Sequence, residues 1–389
     1  MARPVLFRVT NNLNLGGVQR RLLALLPLLV PDFEVHVVTY RDRGLLFDEL
    51  ARAGVITHHL PIRSKWSPIG ITKLAALFKR HRAEIVHTHS LGGNVSGILA
   101  AALARVPVRI GQVHVTGLHW YGRTVWRRRR QAFSEAMVHR FFSHAVLCVS
   151  AETRQTFLKG TGLPEAMVRT LYNGIDFDGM LKSEADSPRD LEREMGIEPG
   201  RSVIGVVGRM VRVKGIERVI SLADFLKRER PGKFCVVLVG DGPLTEELKA
   251  EVKARGLEKV VFFAGEQKML GPFYRFFDVL FFPSPAGSEG MSGVVLEACG
   301  AGLPVLANEA GFLDEIRPLY PWIHTFSPQS EPSDLAEGLA RCLAMRPESM
   351  YPPLVDQFSI QAMRDRTVAL YGTFLNARNP LSVEQSVKA

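Results

Sequence analysis

Cysteine is scarce and scattered in this chain. Its four cysteines, Cys148, Cys235, Cys299 and Cys342, include no C-x-x-C pair. That spacing indicates neither a zinc site nor a disulfide framework, and it predicts reduced, buried thiols. Long apolar runs are lacking too. The run LLALLPLLV at 22–30 is well short of the roughly 20 residues that span a bilayer, and Pro27 interrupts it. The first residues, MARPVLFRVTNNLNLGG, hold no apolar core ahead of a small-residue cleavage site, so they make a poor secretion signal. A cytoplasmic protein is expected, meeting a membrane only as a peripheral visitor on its inner face. Acidic residues also fall short: 39 Asp and Glu against 49 Lys and Arg leave a net charge of +10. Such an excess favours polyanions, anionic lipid surfaces or phosphorylated ligands. No nucleic-acid-binding motif accompanies it, so nucleic acid is not an expected partner. No set of His, Asp and Glu shows metal-ligand spacing, and neither a metal nor a cofactor is expected.

What is present is alternation. PVLFRVT (4–10), FEVHVVTY (33–40), AEIVHTHS (83–90), VRIGQVHV (108–115) and AVLCVS (145–150) read as strands, with helical patterns between them. VRTLYNGID then runs from a strand into an Asn-Gly turn, and a polar segment follows at 183–200. The pattern restarts with SVIGVVGRM (202–210), FCVVLVGDG (234–242), KVVFFAG (259–265), VLFFPS (279–284) and PVLANE (304–309). Strands alternating with helices mean parallel sheets covered on both faces. The predicted fold class is α/β: two doubly wound Rossmann-like domains, 1–180 and 181–359, facing across a cleft. An amphipathic helix at about 360–380 is expected to pack back on the first domain. In such sheets ligands sit beyond the carboxyl ends of the strands, where the glycine-rich stretches of this chain occur.

Four stretches carry candidate chemistry. NNLNLGGVQRRLLALL (11–26) sets Gly16 and Gly17 between a strand and a helix. Glycine allows close backbone approach and positive φ, and a helix start attracts anions. The pattern is not G-x-G-x-x-G, which argues against a nicotinamide cofactor; a plain tight turn fits equally. GRMVRVKG (208–215) offers Arg209 and Lys214 between Gly208 and Gly215. A guanidinium fork with a mobile ammonium suits a diphosphate, though two solvated cations on a loop would look the same. VGDGP (239–243) reads as a structural turn in which Asp241 caps the next helix. In SEGMSGVVLE (288–297), Gly290, Ser292 and Gly293 can present amides at a helix start. Glu289 and Glu297 flank them, so each acid can take the hydroxyls of one sugar with phosphates between; a loop before a helix with a surface Glu is the competing reading.

These motifs, in this order, resemble the retaining GT-B glycosyltransferases of family four. The resemblance covers most of the chain and is strongest from 202 to 311. It is carried by Gly16-Gly17, NGID (173–176), GRMVRVKG, GDGP and EGMSGVVLE, the last matching the family's E-G-F-G-x-x-x-x-E. The resemblance implies a UDP- or GDP-linked sugar as donor and a glycan or lipid-linked acceptor, in bacterial cell-surface polysaccharide or lipopolysaccharide synthesis. It implies that Arg209 and Lys214 clamp the diphosphate, that Glu297 takes the ribose and that Glu289 takes the donor sugar. The amides of Met291, Ser292 and Gly293 would complete the phosphate pocket. His114, in GQVHVTG, resembles a family histidine that reaches the donor sugar across the cleft. His87 and His89 read as structural, with the acceptor side as a lesser alternative. Met291-Ser292 stands where the family usually has Phe-Gly, and Ser lacks glycine's backbone freedom. Another GT-B enzyme, such as a nucleotide-sugar epimerase, or a non-catalytic GT-B binding module are the rival readings.

One further segment stands out. HWYGRTVWRRRRQAFSEAMVHRFF (119–142) interleaves aromatics with Arg123, Arg127, Arg128, Arg129 and Arg130. It fits docking on an anionic membrane surface, or a helix with one solvated basic face.

Overall fold

The computed structural model describes residues 3–117, 124–182 and 188–377. The chain forms two compact units, dividing between Gly174 and Ile175 and again between Ser359 and Ile360. The first division falls a few residues before the one expected near 180. Ile175 already belongs with the second unit, pairing with Ser359 and donating its N–H to the Phe358 carbonyl at 2.8 Å.

The first unit is a seven-stranded sheet. Its strands are β1 (Val5–Thr10), β2 (Glu34–Thr39), β3 (Ile56–His59), β4 (Ile85–His89), β5 (Val108–Val113), β6 (Ala145–Cys148) and β7 (Val168–Thr170). They lie in the order β3-β2-β1-β4-β5-β6-β7 and every pairing is parallel. Successive residues of a strand feed opposite faces. Leu6, Ile85 and Ile110 enter one core with Leu25 and Leu26 of the helix Gly17–Leu29 and with Met363 and Tyr371 of the helix Ile360–Asn376. Phe7, Val9 and Val86 enter the other core with Leu74 and Phe78 of the helix Pro68–Arg80. Each such burial contributes about 1.5–3 kcal/mol, which is why the last helix belongs to this unit despite its distance in sequence. Pro27 does not end the first helix; it sits in the last turn, where it removes one i→i−4 hydrogen bond with only two helical residues still to follow.

The second unit repeats the plan with six strands: β8 (Ser202–Val207), β9 (Phe234–Val239), β10 (Val261–Gly265), β11 (Val279–Phe282), β12 (Val305–Asn308) and β13 (Ile323–Phe326). Their order is β10-β9-β8-β11-β12-β13, again all parallel. In each unit the first strand is central, with the chain winding away from it in both directions. The carboxyl ends of β1 and β4, and of β8 and β11, therefore flank a switch point where no crossover covers the crevice. All four cysteines are buried, as their scatter predicts. Among the described residues, no helix is long and apolar enough to cross a membrane.

Candidate active site

Because β8 and β11 are neighbours, the loops leaving their carboxyl ends meet. GRMVRVKG leaves β8. Gly208 has φ 149° and Gly215 φ 65°, both in the region that side chains avoid. At Gly215 a Cβ would also stand 2.6 Å from the Pro283 carbonyl oxygen. Glycine there lets the loop pass against the chain leaving β11. The result is an ion pair between Lys214 Nζ and Glu289 Oε1, with the two side chains 22 % and 16 % exposed. Ser284 donates its hydroxyl to the same oxygen at 3.3 Å. Arg209 is exposed, and its side chain has no hydrogen bond or ion pair among the described residues.

Beside this pair begins the helix Gly293–Gly300. Its N-cap, Ser292, is fully buried, yet its hydroxyl neither caps the helix nor finds any partner among the described residues. The first turn holds no acidic residue. Unpaired amides and the positive end of the helix dipole make this a place for an anion. Ser292 has φ −79° and ψ 118°, ordinary extended backbone, so replacing the family's glycine costs no strain. Met291 is buried and keeps an apolar side chain where the family usually has Phe. One turn into the helix, Glu297 Oε2 accepts the hydroxyl of Tyr274 at 2.7 Å. Its other oxygen has no partner among the described residues. Asp241 accepts from Gly242 N at 2.6 Å and from the Thr245 hydroxyl at 2.5 Å, holding its own turn.

Gly16 and Gly17 open the first helix of the first unit, but positive φ is not their reason. Gly16 has φ −177°, an extended value open to any residue, and neither glycine is among those with positive φ. A Cβ on Gly16 would meet the Gln19 side chain at 2.6 Å, whereas one on Gly17 would meet nothing within 4 Å. Gly290 and Gly293 likewise lack positive φ.

In the first unit a chain of contacts leads to His114, just past β5. Arg8 is fully buried on β1. Its Nη1 lies 2.7 Å from His87 Nδ1 and 3.2 Å from His89 Nε2. A guanidinium only donates, so both ring nitrogens accept. His89 then carries its proton on Nδ1 and gives it to His114 Nε2 at 2.9 Å. His114 in turn must hold its own proton on Nδ1. The Tyr371 hydroxyl lies 2.6 Å from the same His87 Nδ1. Burial, and then the cations Arg21 and Arg8, push the His114 pKa down to about 3, so the ring is neutral at pH 7. Arg8 and His89 thus set the tautomer of His114.

The arginine-rich segment forms the helix Val125–Phe142, N-capped by Thr124. Arg123 lies outside the described residues. Trp126 and Phe133 are 70 % and 66 % exposed, and Arg130 packs over the Trp126 ring at 4.9 Å. These three lie on one face, at i, i+4 and i+7.

Two family models match the chain in tandem. Glycosyltransferase Family 4 matches residues 15–178, and Glycosyl transferases group 1 matches residues 189–352. The chain belongs to glycosyltransferase family 4. Among relatives of this family 4 glycosyltransferase is a putative glycosyltransferase, EpsF, of Bacillus subtilis (strain 168), 29 % identical over 314 residues that make up 78 % of each chain. Another is the Escherichia coli UDP-Gal:alpha-D-GlcNAc-diphosphoundecaprenol alpha-1,3-galactosyltransferase, 26 % identical over 76 % of each. Among solved structures, Anabaena Alr3699/HepE in complex with UDP and glucose superposes with a TM-score of 0.79 at 17 % identity, covering 95 % of this chain and 100 % of that one. The two parallel-sheet units are the Rossmann-like domains of the GT-B fold.

Sequence reasoning missed several groups around this glycosyltransferase's candidate site. Tyr274 sits in a short helix, Gly271–Phe276, with no motif to mark it. Arg8 lies within an ordinary strand, and only its burial without a carboxylate singles it out. The contact between Lys214 and Glu289, 75 residues apart, was not legible either, although the two motifs were.

Proposed function

We propose that this family 4 enzyme transfers a sugar, with retention of anomeric configuration, from a UDP-linked donor to a glycan or lipid-linked acceptor in cell-surface polysaccharide synthesis. The observation that carries the donor reading is the pairing of Lys214 with a helix start whose buried Ser292 hydroxyl has no partner among the described residues. The loop carrying Lys214 and the start of the helix Gly293–Gly300 both follow strands that flank the switch point of the second sheet, where a diphosphate can use the ammonium and the helix-start amides. Lys214 has three N–H donors, so it can keep Glu289 and still bind a phosphate oxygen. Arg209 adds a fork of donors to the same loop. The choice of UDP and of a polysaccharide or lipid-linked acceptor is supported by the names of the relatives alone.

In the reaction, the bond from the anomeric carbon to the phosphate oxygen breaks, and negative charge grows on the leaving diphosphate. Lys214, Arg209 and the amides of Met291, Ser292 and Gly293 stabilise that charge; donors placed this way are each worth about 10²–10³ in rate. Glu297, held by Tyr274, offers its second oxygen to the ribose hydroxyls. Glu289 takes a hydroxyl of the donor sugar. The Nδ1–H of His114 is the group we assign to a further sugar hydroxyl, with Arg8 and His89 fixing its tautomer. The acceptor hydroxyl attacks from the face the diphosphate leaves, and the departing phosphate oxygen takes its proton. Trp126, Arg130 and Phe133, with Arg127, Arg128 and Arg129, dock the enzyme on anionic lipid.

A thermal-shift screen against UDP, GDP, ADP and their sugars tests the donor assignment. Ligands that bind only the folded state raise its stability with occupancy. UDP and a UDP-sugar should shift the melting temperature most. A larger shift by GDP or ADP sugars would overturn the choice of base, and no shift by any would overturn the site.

A further inference from the structure

Three histidines from three elements converge away from the carboxyl ends of the first sheet. His36 is the third residue of β2, His58 the third of β3, and His81 closes the helix Pro68–Arg80. That helix returns to the amino end of β4, so the cluster lies toward the end of the sheet opposite His114 and Gly16-Gly17. One ring nitrogen from each histidine lies within 4.8 Å of the other two. The His36 and His58 rings are parallel to within 2°, and His36 Nδ1 stands 2.9 Å from His58 Nε2. Phe7 stacks on His36 with centroids 4.3 Å apart and touches His58 and His81 as well, giving the cluster one apolar wall. His36 is buried and the other two are half-buried, so the set is reachable from solvent.

Glu34 completes the arrangement. Its Oε1 lies 2.9 Å from His36 Nε2. A carboxylate only accepts, so the His36 proton sits on Nε2 and the Nδ1 lone pair turns toward His58. A carboxylate behind a histidine in this way orients metal ligands elsewhere in proteins and raises their basicity. Arg80 adds positive charge near His58.

We propose that His36, His58 and His81 form a binding site for a divalent transition-metal cation such as Zn²⁺, with Glu34 orienting His36 and water filling the fourth position. Tetrahedral zinc with Zn–N bonds of about 2.0–2.1 Å holds its nitrogens roughly 3.3 Å apart. The His36–His58 contact has to open slightly to reach that spacing, and His81 has to close in. His58 shifts its proton from Nε2 to Nδ1 on binding, so no proton is lost. The ion would pin the edge strand β3 to β2 and to the helix before β4, a structural role with no part in sugar transfer.

The test uses the full chain, stripped with a chelator and titrated with zinc alone, with Co²⁺ as the spectroscopic probe. One zinc per chain and a tetrahedral Co²⁺ spectrum are expected. His58→Gln and His81→Gln, both at half-buried positions, should weaken zinc at least 100-fold while leaving the metal-free melting temperature within a few degrees of wild type. Glu34→Gln should weaken it about 10–100-fold. Absence of stoichiometric zinc, an octahedral Co²⁺ spectrum, or wild-type affinity in either histidine variant would overturn the proposal. Should one variant fail to fold, the other decides.

Discussion

Replacing Lys214 with alanine separates the two tasks assigned to this side chain. In the unliganded protein, Lys214 neutralises Glu289, and the two side chains retain 22 % and 16 % of their exposure. The pair lies between the exposed case, worth about 0.2–1 kcal/mol, and the fully buried one, where breaking it costs about 3–5 kcal/mol. A loss of about 1–2 kcal/mol in folding stability is expected, because Glu289 keeps some water and the Ser284 hydroxyl. During turnover the same ammonium faces the growing charge of the diphosphate. Its removal should lower kcat by about 10²–10³, the usual effect of deleting one preorganised donor. The double variant Lys214→Ala/Glu289→Gln discriminates between these effects. Removing the uncompensated negative charge should restore most of the lost stability, yet transfer should remain at least as impaired. Urea unfolding reads the first quantity and a coupled assay for released nucleoside diphosphate the second. Turnover near wild type in Lys214→Ala, or its recovery in the double variant, would refute the reasoning.

Other outcomes follow from the same geometry. Tyr274→Phe removes one hydrogen bond to Glu297; it should cost about 1 kcal/mol of stability and raise KM for the sugar nucleotide several-fold more than it lowers kcat. Acid should destabilise the fold. His58 is held at about 4, below the ordinary histidine value of about 6.5, so on acidification the unfolded chain takes up its proton first. The urea midpoint should fall as pH drops from about 6.5 through about 4, and less steeply in His58→Gln; equal slopes would exclude His58 as a source. Changing Arg127, Arg128, Arg129 and Arg130 together to glutamine should abolish flotation with anionic liposomes. Unchanged flotation would remove the docking assignment.

The strands buried on both faces were legible because they are rich in apolar residues: Phe234–Val239 is an unbroken run, and Val5–Thr10 is interrupted only by Arg8 before its terminal Thr10. Two edge strands were not. Ile56–His59 reads ITHH and Ile323–Phe326 reads IHTF, too short and too polar for periodicity to mark, and only pairing with β2 and β12 orders them. At the site, the motifs at strand exits were legible, since glycine beside cations and acids is a local pattern. The physical reason for each glycine was not. Gly215 needs its positive φ and its missing Cβ, whereas Gly16 has an extended backbone open to any residue. The histidine cluster was invisible for a different cause. Its members are more than twenty residues apart, and the parallel β2–β3 pairing with the returning helix alone brings them together.

A crystal of the enzyme soaked with a UDP-sugar tests the central claim most directly. The diphosphate should lie within hydrogen-bonding distance of Lys214 Nζ, the Arg209 guanidinium and the amides at residues 291–293, with the ribose on Glu297. A diphosphate bound away from these groups would contradict the account.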